Sequence, residues 1–126
     1  ADANSDVTAK NYIFETTLDI LRKTEPNFEL PTLRQVFELT DKKTHLNIEI
    51  KVPQAKELRR RYNYRETILG IYNLIDEFSL QDYCFVSSFN VKALQEMERV
   101  SAINLSKVRT IYLYNYFNYE SLPPLE

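Results

Sequence analysis

A chain of 126 residues with 44% hydrophobic content is long enough for one ordinary domain with its own core. A formal charge of -2 and a pI near 5.5 give no global electrostatic reason for nucleic acid or an anionic membrane to be the main partner. No apolar run approaches the roughly 20 residues of a bilayer span, and the single glycine, Gly70, excludes glycine-rich phosphate loops and dinucleotide fingerprints.

The opening "ADANSDVTAK" has neither an apolar core nor an arginine-rich amphipathic character, so it is not an intact targeting peptide. A start at Ala1 without methionine raises the expectation of further sequence upstream. From about Tyr12 to Lys23, Ile13, Thr17, Ile20 and Leu21 recur at helical spacing, and Glu25-Pro26-Asn27 should stop that helix. In "LPTLRQVFELT", Thr32 and Gln35 form a capping-box pattern ahead of Val36, Phe37 and Leu39, which predicts a short helix ending near Thr40.

Residues 45 to 52 switch to period two, with Leu46, Ile48 and Ile50 on one face and Asn47, Glu49 and Lys51 on the other. After Pro53 comes a polar, basic segment. Next, Ile68, Ile71, Tyr72, Ile75 and Phe78 follow the spacing of a buried helical stripe. "YCFVSSF" reads as a nearly continuous apolar strand that contains the only cysteine, Cys84. One cysteine cannot close an internal disulfide, which fits a reducing, intracellular setting. Val91, Leu94, Met97 and Val100 then mark another amphipathic helix, and "RTIYLYNYF" a third strand from Arg109. Asn104-Leu105-Ser106 matches a glycosylation triplet, a pattern short enough to occur by chance.

Strands separated by long helical crossovers cannot be hairpins, so the expected architecture is α/β with a parallel sheet covered on both faces. The polar row of "NIEIK" faces water in a one-sided sheet and the interior in a closed barrel. Alternation alone leaves both readings of Glu49 and Lys51 open.

Three segments in order, "LPTLRQVFEL" at 30–39, "LNIEIK" at 46–51 and "CFVSSFN" at 84–90, resemble the glycerophosphodiester phosphodiesterase family. Its members carry an "iPTLeevl" segment, a strand with "iEiK" and a strand ending in "SSF". The resemblance implies a (β/α)8 barrel that hydrolyses glycerophosphodiesters of lipid metabolism to glycerol phosphate and an alcohol, with a divalent cation, magnesium or calcium. It implies that Glu49 is a metal ligand and that Lys51 is a catalytic cation beside the substrate phosphate. A hard cation takes carboxylate oxygens, and a phosphodiester gathering negative charge is stabilised by a metal and a fixed ammonium.

The departures shape the expectation. The family's His-Arg pair, Glu-x-Asp pair and second histidine, all expected ahead of the "iPTL" segment, have no counterpart here. The only histidine, His45, matches neither histidine position and reads as a surface residue at the start of a strand. The implied architecture is a partial (β/α)8 barrel lacking its N- and C-terminal parts, with 1–29 an N-terminal helical segment and 30–126 the central portion. A complete barrel takes about 200 to 250 residues. Other segments or chains are therefore expected to complete it, and the 126 residues alone are expected to be inactive. Rival readings are a self-sufficient three-layer α/β domain, a catalytically degenerate barrel acting as a structural or interaction subunit, and a phosphate-ester-binding regulator.

"KELRRRYNYR" at 56–65 holds five basic residues against one acid, and reads first as a solvated crossover helix whose arginines pair with nearby acids. Ser87 and Ser88 lack a glycine elbow and a paired histidine, so packing or hydrogen-bonding roles fit them better than nucleophilic ones. Asp76, Glu77 and Asp82 read as solvated loop acids. The clustered Tyr112, Tyr114, Tyr116 and Tyr119 suit a half-buried strand or an interface.

Overall fold

A computed structural model describes residues 13–24 and 29–114 of the chain. Two compact units divide it, 1–32 and 33–126. In the first, a 3-10 turn over Ile13–Glu15 precedes α1 (Leu18–Thr24). The apolar spacing that predicts one helix is therefore split. The break falls at Thr17, whose Oγ1 accepts a hydrogen bond from the Ile20 amide at 3.3 Å and so opens a separate helix. Tyr12 and Glu25-Pro26-Asn27 lie outside the described residues.

The second unit runs α2 (Leu33–Thr40), β1 (Leu46–Ile50), α3 (Lys56–Arg61), α4 (Tyr64–Glu77), β2 (Cys84–Ser88), α5 (Val91–Ile103) and β3 (Arg109–Tyr112). The helices carry their own start signals. Asn63 caps α4, its Oδ1 accepting from the Glu66 amide at 3.2 Å, and Asn90 caps α5 through the Ala93 amide at 3.1 Å. Both helices end on a non-glycine residue with positive φ, Ser79 at 53° and Leu105 at 56°. The next amide then folds back, Leu80 N–H to the Ile75 carbonyl and Ser106 N–H to the Ser101 carbonyl. Gly70, the one residue free of the left-handed penalty, sits instead in the middle of α4, where an added Cβ would meet nothing within 4 Å.

The three strands form one parallel sheet in the order β1-β2-β3. Each crossover between neighbouring parallel strands is right-handed in nearly all proteins, so successive crossovers moving in one direction place their helices on the same side. The contact between α4 and α5 agrees with this. On that side Ile50, Cys84 and Val86 meet Ile68, Tyr72 and Ile75 of α4 and Ala93, Leu94, Met97 and Val100 of α5, with Phe37 of α2 joining the cluster. Complete burial of side chains such as Ile68, Ile75 and Met97 contributes about 1.5–3 kcal/mol each.

The expectation of a sheet covered on both faces fails among the described residues. The opposite row exposes Asn47, Glu49, Arg109 and Ile111 and leaves Phe85 half-buried; only Ser87, in the middle strand, is fully buried there. Helices that all return on one side leave nothing local to cover the other.

Candidate functional site

Residues in register on parallel neighbours share a face. The open face therefore carries Asn47, Phe85 and Arg109 in one row, and Glu49, Ser87 and Ile111 in the next row toward the C-terminal ends. Lys51 follows the last paired residue of β1. Because Ile50 and Val52 on either side of it belong to the core and its margin, Lys51 points away from the core, as Glu49 does. Both are exposed, and neither makes a side-chain hydrogen bond or ion pair among the described residues.

The two serines of "SSF" go to opposite sides. Ser87 lies between Glu49 and Ile111, and its hydroxyl donates to Asn47 Oδ1 at 2.6 Å. Ser88 lies on the core side, where its hydroxyl donates to the Ile50 carbonyl at 2.7 Å and accepts from the Asn90 amide at 3.1 Å. Ser88 thus joins the C-terminal end of β1 to the turn that opens α5, and Asn90 completes that turn as the helix cap. Among the described residues no base reaches either hydroxyl. Asn47 and Ser87 are a pair that strand alternation did not single out; the parallel register, once known, brings them together.

The remaining sequence candidates stand apart from Glu49. His45 is exposed at the other end of β1, its ring stacked on Tyr83 at 5.6 Å between centroids. It stands four positions before Glu49, about 13 Å of extended strand. Glu77 is exposed, as a solvated acid would be, and is in addition held in a two-pronged pair with the Arg34 guanidinium. The hydrogen bond from Arg34 keeps the Glu77 carboxyl below its ordinary pKa and raises that of Arg34. Asp76 accepts from Gln81 Nε2 at 3.0 Å, and the Asp82 backbone carbonyl accepts from Arg109 at 3.1 Å. Asp76 and Glu77 close the last turn of α4 rather than a loop, and Asp82 lies in the turn that enters β2, opposite the strand ends that follow Glu49. Cys84 is buried, and burial pushes its thiol pKa up, so it is poorly suited to nucleophilic work.

A basic crossover segment follows Lys51. Lys56, Arg59, Arg60 and Arg61 are exposed on α3. Arg59 does not pair with an acid as the sequence suggests; its guanidinium donates to the Gln54 carbonyl at 2.7 Å. A groove along the outer edge of β3, lined by Phe85, Ser101, Leu105, Arg109 and Ile111 among others, does not include Glu49 or Lys51. Tyr116 and Tyr119 lie outside the described residues.

A divalent cation such as magnesium or calcium takes about six oxygen ligands. Glu49 can offer one or two, but the nearby Asn47 and Ser87 oxygens are engaged with each other, and no three His, Cys, Asp or Glu side chains cluster among the described residues. These residues by themselves do not make up a cation site. Among the described residues no helix is long and apolar enough to cross a membrane.

Compared with known proteins, residues 3–123 match the model of the Glycerophosphoryl diester phosphodiesterase family. Neither a search of curated proteins nor one of solved structures returned a match.

Proposed function

The chain belongs to the glycerophosphoryl diester phosphodiesterase family, and from that premise we propose that it forms part of a hydrolase that splits glycerophosphodiesters into glycerol phosphate and an alcohol. In this reading β1, β2 and β3 are consecutive strands of a (β/α)8 barrel, and the open face is its interior. The one-directional strand order with helices on a single side supports that placement, since a doubly wound sheet puts helices on both faces.

The observation that carries the reading is the position of Glu49 and Lys51. They share the exposed side of the first strand, at its C-terminal end, where barrels of this architecture bind substrate. Glu49 is the one carboxylate of the described open face and would supply a ligand to the divalent cation that the family generally uses. The other ligands, and the group that moves the proton, are assigned to parts of the assembly outside the described residues. Lys51 draws in the substrate phosphate and offsets the negative charge that builds on its oxygens. Ser87 fixes the Asn47 amide beside Glu49 and so keeps the floor of the site rigid.

In the full-length protein, Glu49→Gln is expected to lower divalent-dependent hydrolysis of glycerophosphocholine by on the order of 100-fold or more, the scale set by removing one group that stabilises the reacting charge. An unchanged rate would overturn the assignment. The 126 residues alone should show no turnover, and steady hydrolysis by them would refute the need for further segments or chains.

A second reading, a catalytically degenerate barrel kept as a structural or interaction subunit, draws on the lone carboxylate and on the placement of His45 at the far end of β1. It predicts no hydrolysis by the full-length wild type with magnesium or calcium, together with a stable complex with a partner chain.

A further inference from the structure

The segment that leaves the C-terminal end of β1 is charged far out of proportion to the rest of the chain. Between Lys51 and Arg65 there are six basic residues and one acid, Glu57, in a protein whose total formal charge is -2. Opposite charge is therefore concentrated elsewhere, and screening beyond roughly 8 Å at physiological salt keeps it from cancelling the local field.

Lys56, Arg59 and Arg60 are exposed on one short helix, and no acidic side chain pairs with any of them among the described residues. The tyrosines interleaved with them are already committed. The Tyr62 hydroxyl bonds Thr67 Oγ1 at 3.2 Å, Tyr64 packs against the core, and Arg65 lies 5.9 Å over the Tyr64 ring. Single-stranded nucleic acid is held largely by bases stacking on free aromatic faces, whereas here Tyr62 is half-buried and Tyr64 packs between the core and Arg65, so neither tyrosine presents a fully exposed face. What remains is a set of cationic head groups without a base-reading element.

We propose that this basic helix docks the protein on an anionic lipid bilayer, with the strand ends that carry Glu49 and Lys51 turned toward the head groups. A parallel βα connection begins at the C-terminal end of its strand, so the patch and the proposed site lie at the same end of the sheet. The choice of a lipid surface over other polyphosphates rests on the phosphodiester-hydrolase reading, in which the substrate derives from lipid. Positions 56, 59 and 60 share one side of a helix, which suits an extended charged plane, and each Lys or Arg held near such a surface strengthens binding by about fivefold.

The test is co-sedimentation of the full-length protein with vesicles of phosphatidylcholine alone or mixed with phosphatidylserine. Wild type should favour the mixed vesicles by on the order of tenfold or more and lose that preference at high salt. Lys56→Gln with Arg60→Gln should reduce binding by on the order of tenfold or more, while leaving hydrolysis of soluble glycerophosphocholine unchanged. Glu49→Gln should bind vesicles like wild type, so loss of activity and loss of docking are separately visible. Equal binding to both vesicle types, binding insensitive to salt and to the double substitution, or retention on single-stranded oligonucleotide without vesicle binding would overturn the proposal. Arg59 stays intact in these variants because it ties α3 to Gln54, and circular dichroism of the double variant guards against a folding artefact.

Discussion

The two faces of the sheet are built from the same three strands yet obey different rules. On the covered face Ile50, Cys84 and Val86 are buried under α4 and α5, and Ser88 is bonded on both sides, while the Tyr72 hydroxyl is the one buried side-chain polar atom left without a hydrogen-bond partner among the described residues. On the open face, one residue away in each strand, Asn47, Glu49, Arg109 and Ile111 are exposed. A side-chain period of two is thus enough to place the core on one row and most of the exposed groups on the other. Among the described residues Glu49 makes no side-chain hydrogen bond or ion pair, whereas Ser88 makes two hydrogen bonds.

The comparison can be broken most sharply by truncation. Ile75→Ala on the inward side of α4 should cost about 2–5 kcal/mol in urea denaturation, because it removes a fully buried side chain and leaves a cavity. Ile111→Ser on the open face should stay within about 0.5 kcal/mol of wild type. Similar losses at both sites would mean that the open face is covered and that its polar row is structural.

The serines give the next largest contrast. Ser88→Ala deletes an acceptor for the Asn90 amide and a donor to the Ile50 carbonyl, in a buried position, and should cost about 1–3 kcal/mol. Ser87→Ala frees the Asn47 amide toward solvent and should cost about 0.5–1.5 kcal/mol. A reversed order would assign the strand-to-helix joint to Ser87 instead.

The smallest effect is expected on the outward side of α4. Gly70 has no positive φ and open space where a Cβ would stand, so Gly70→Ala should raise stability by about 0.4–1 kcal/mol. A loss of stability there would reveal a neighbour on that surface in solution.

Much of the element order was legible because the patterns were strong. The stripe Ile68, Tyr72, Ile75 and the stripe Leu94, Met97, Val100 both became buried helix faces, and the alternation of "LNIEI" became β1. The first predicted helix was less legible, since Thr17 serves equally as a member of an apolar-spaced run and as a cap, and the local sequence does not choose between them. The ion pair of Glu77 with Arg34 was also hidden. It joins residues 43 positions apart and depends on α2 meeting α4.

The amino-acid sequence by itself determined the periods, the caps and the ordered segments around Glu49 and Lys51 that tie the chain to a phosphodiesterase family, because each of these is written within a few neighbouring residues. Only the tertiary structure decided that Ser87 lies beside Glu49 while Ser88 bolts β1 to α5, that His45 stands at the far end of the strand, and that among the described residues no helix covers one face of the sheet. These facts depend on register and on the side to which each crossover returns, which are properties of how distant strands pair.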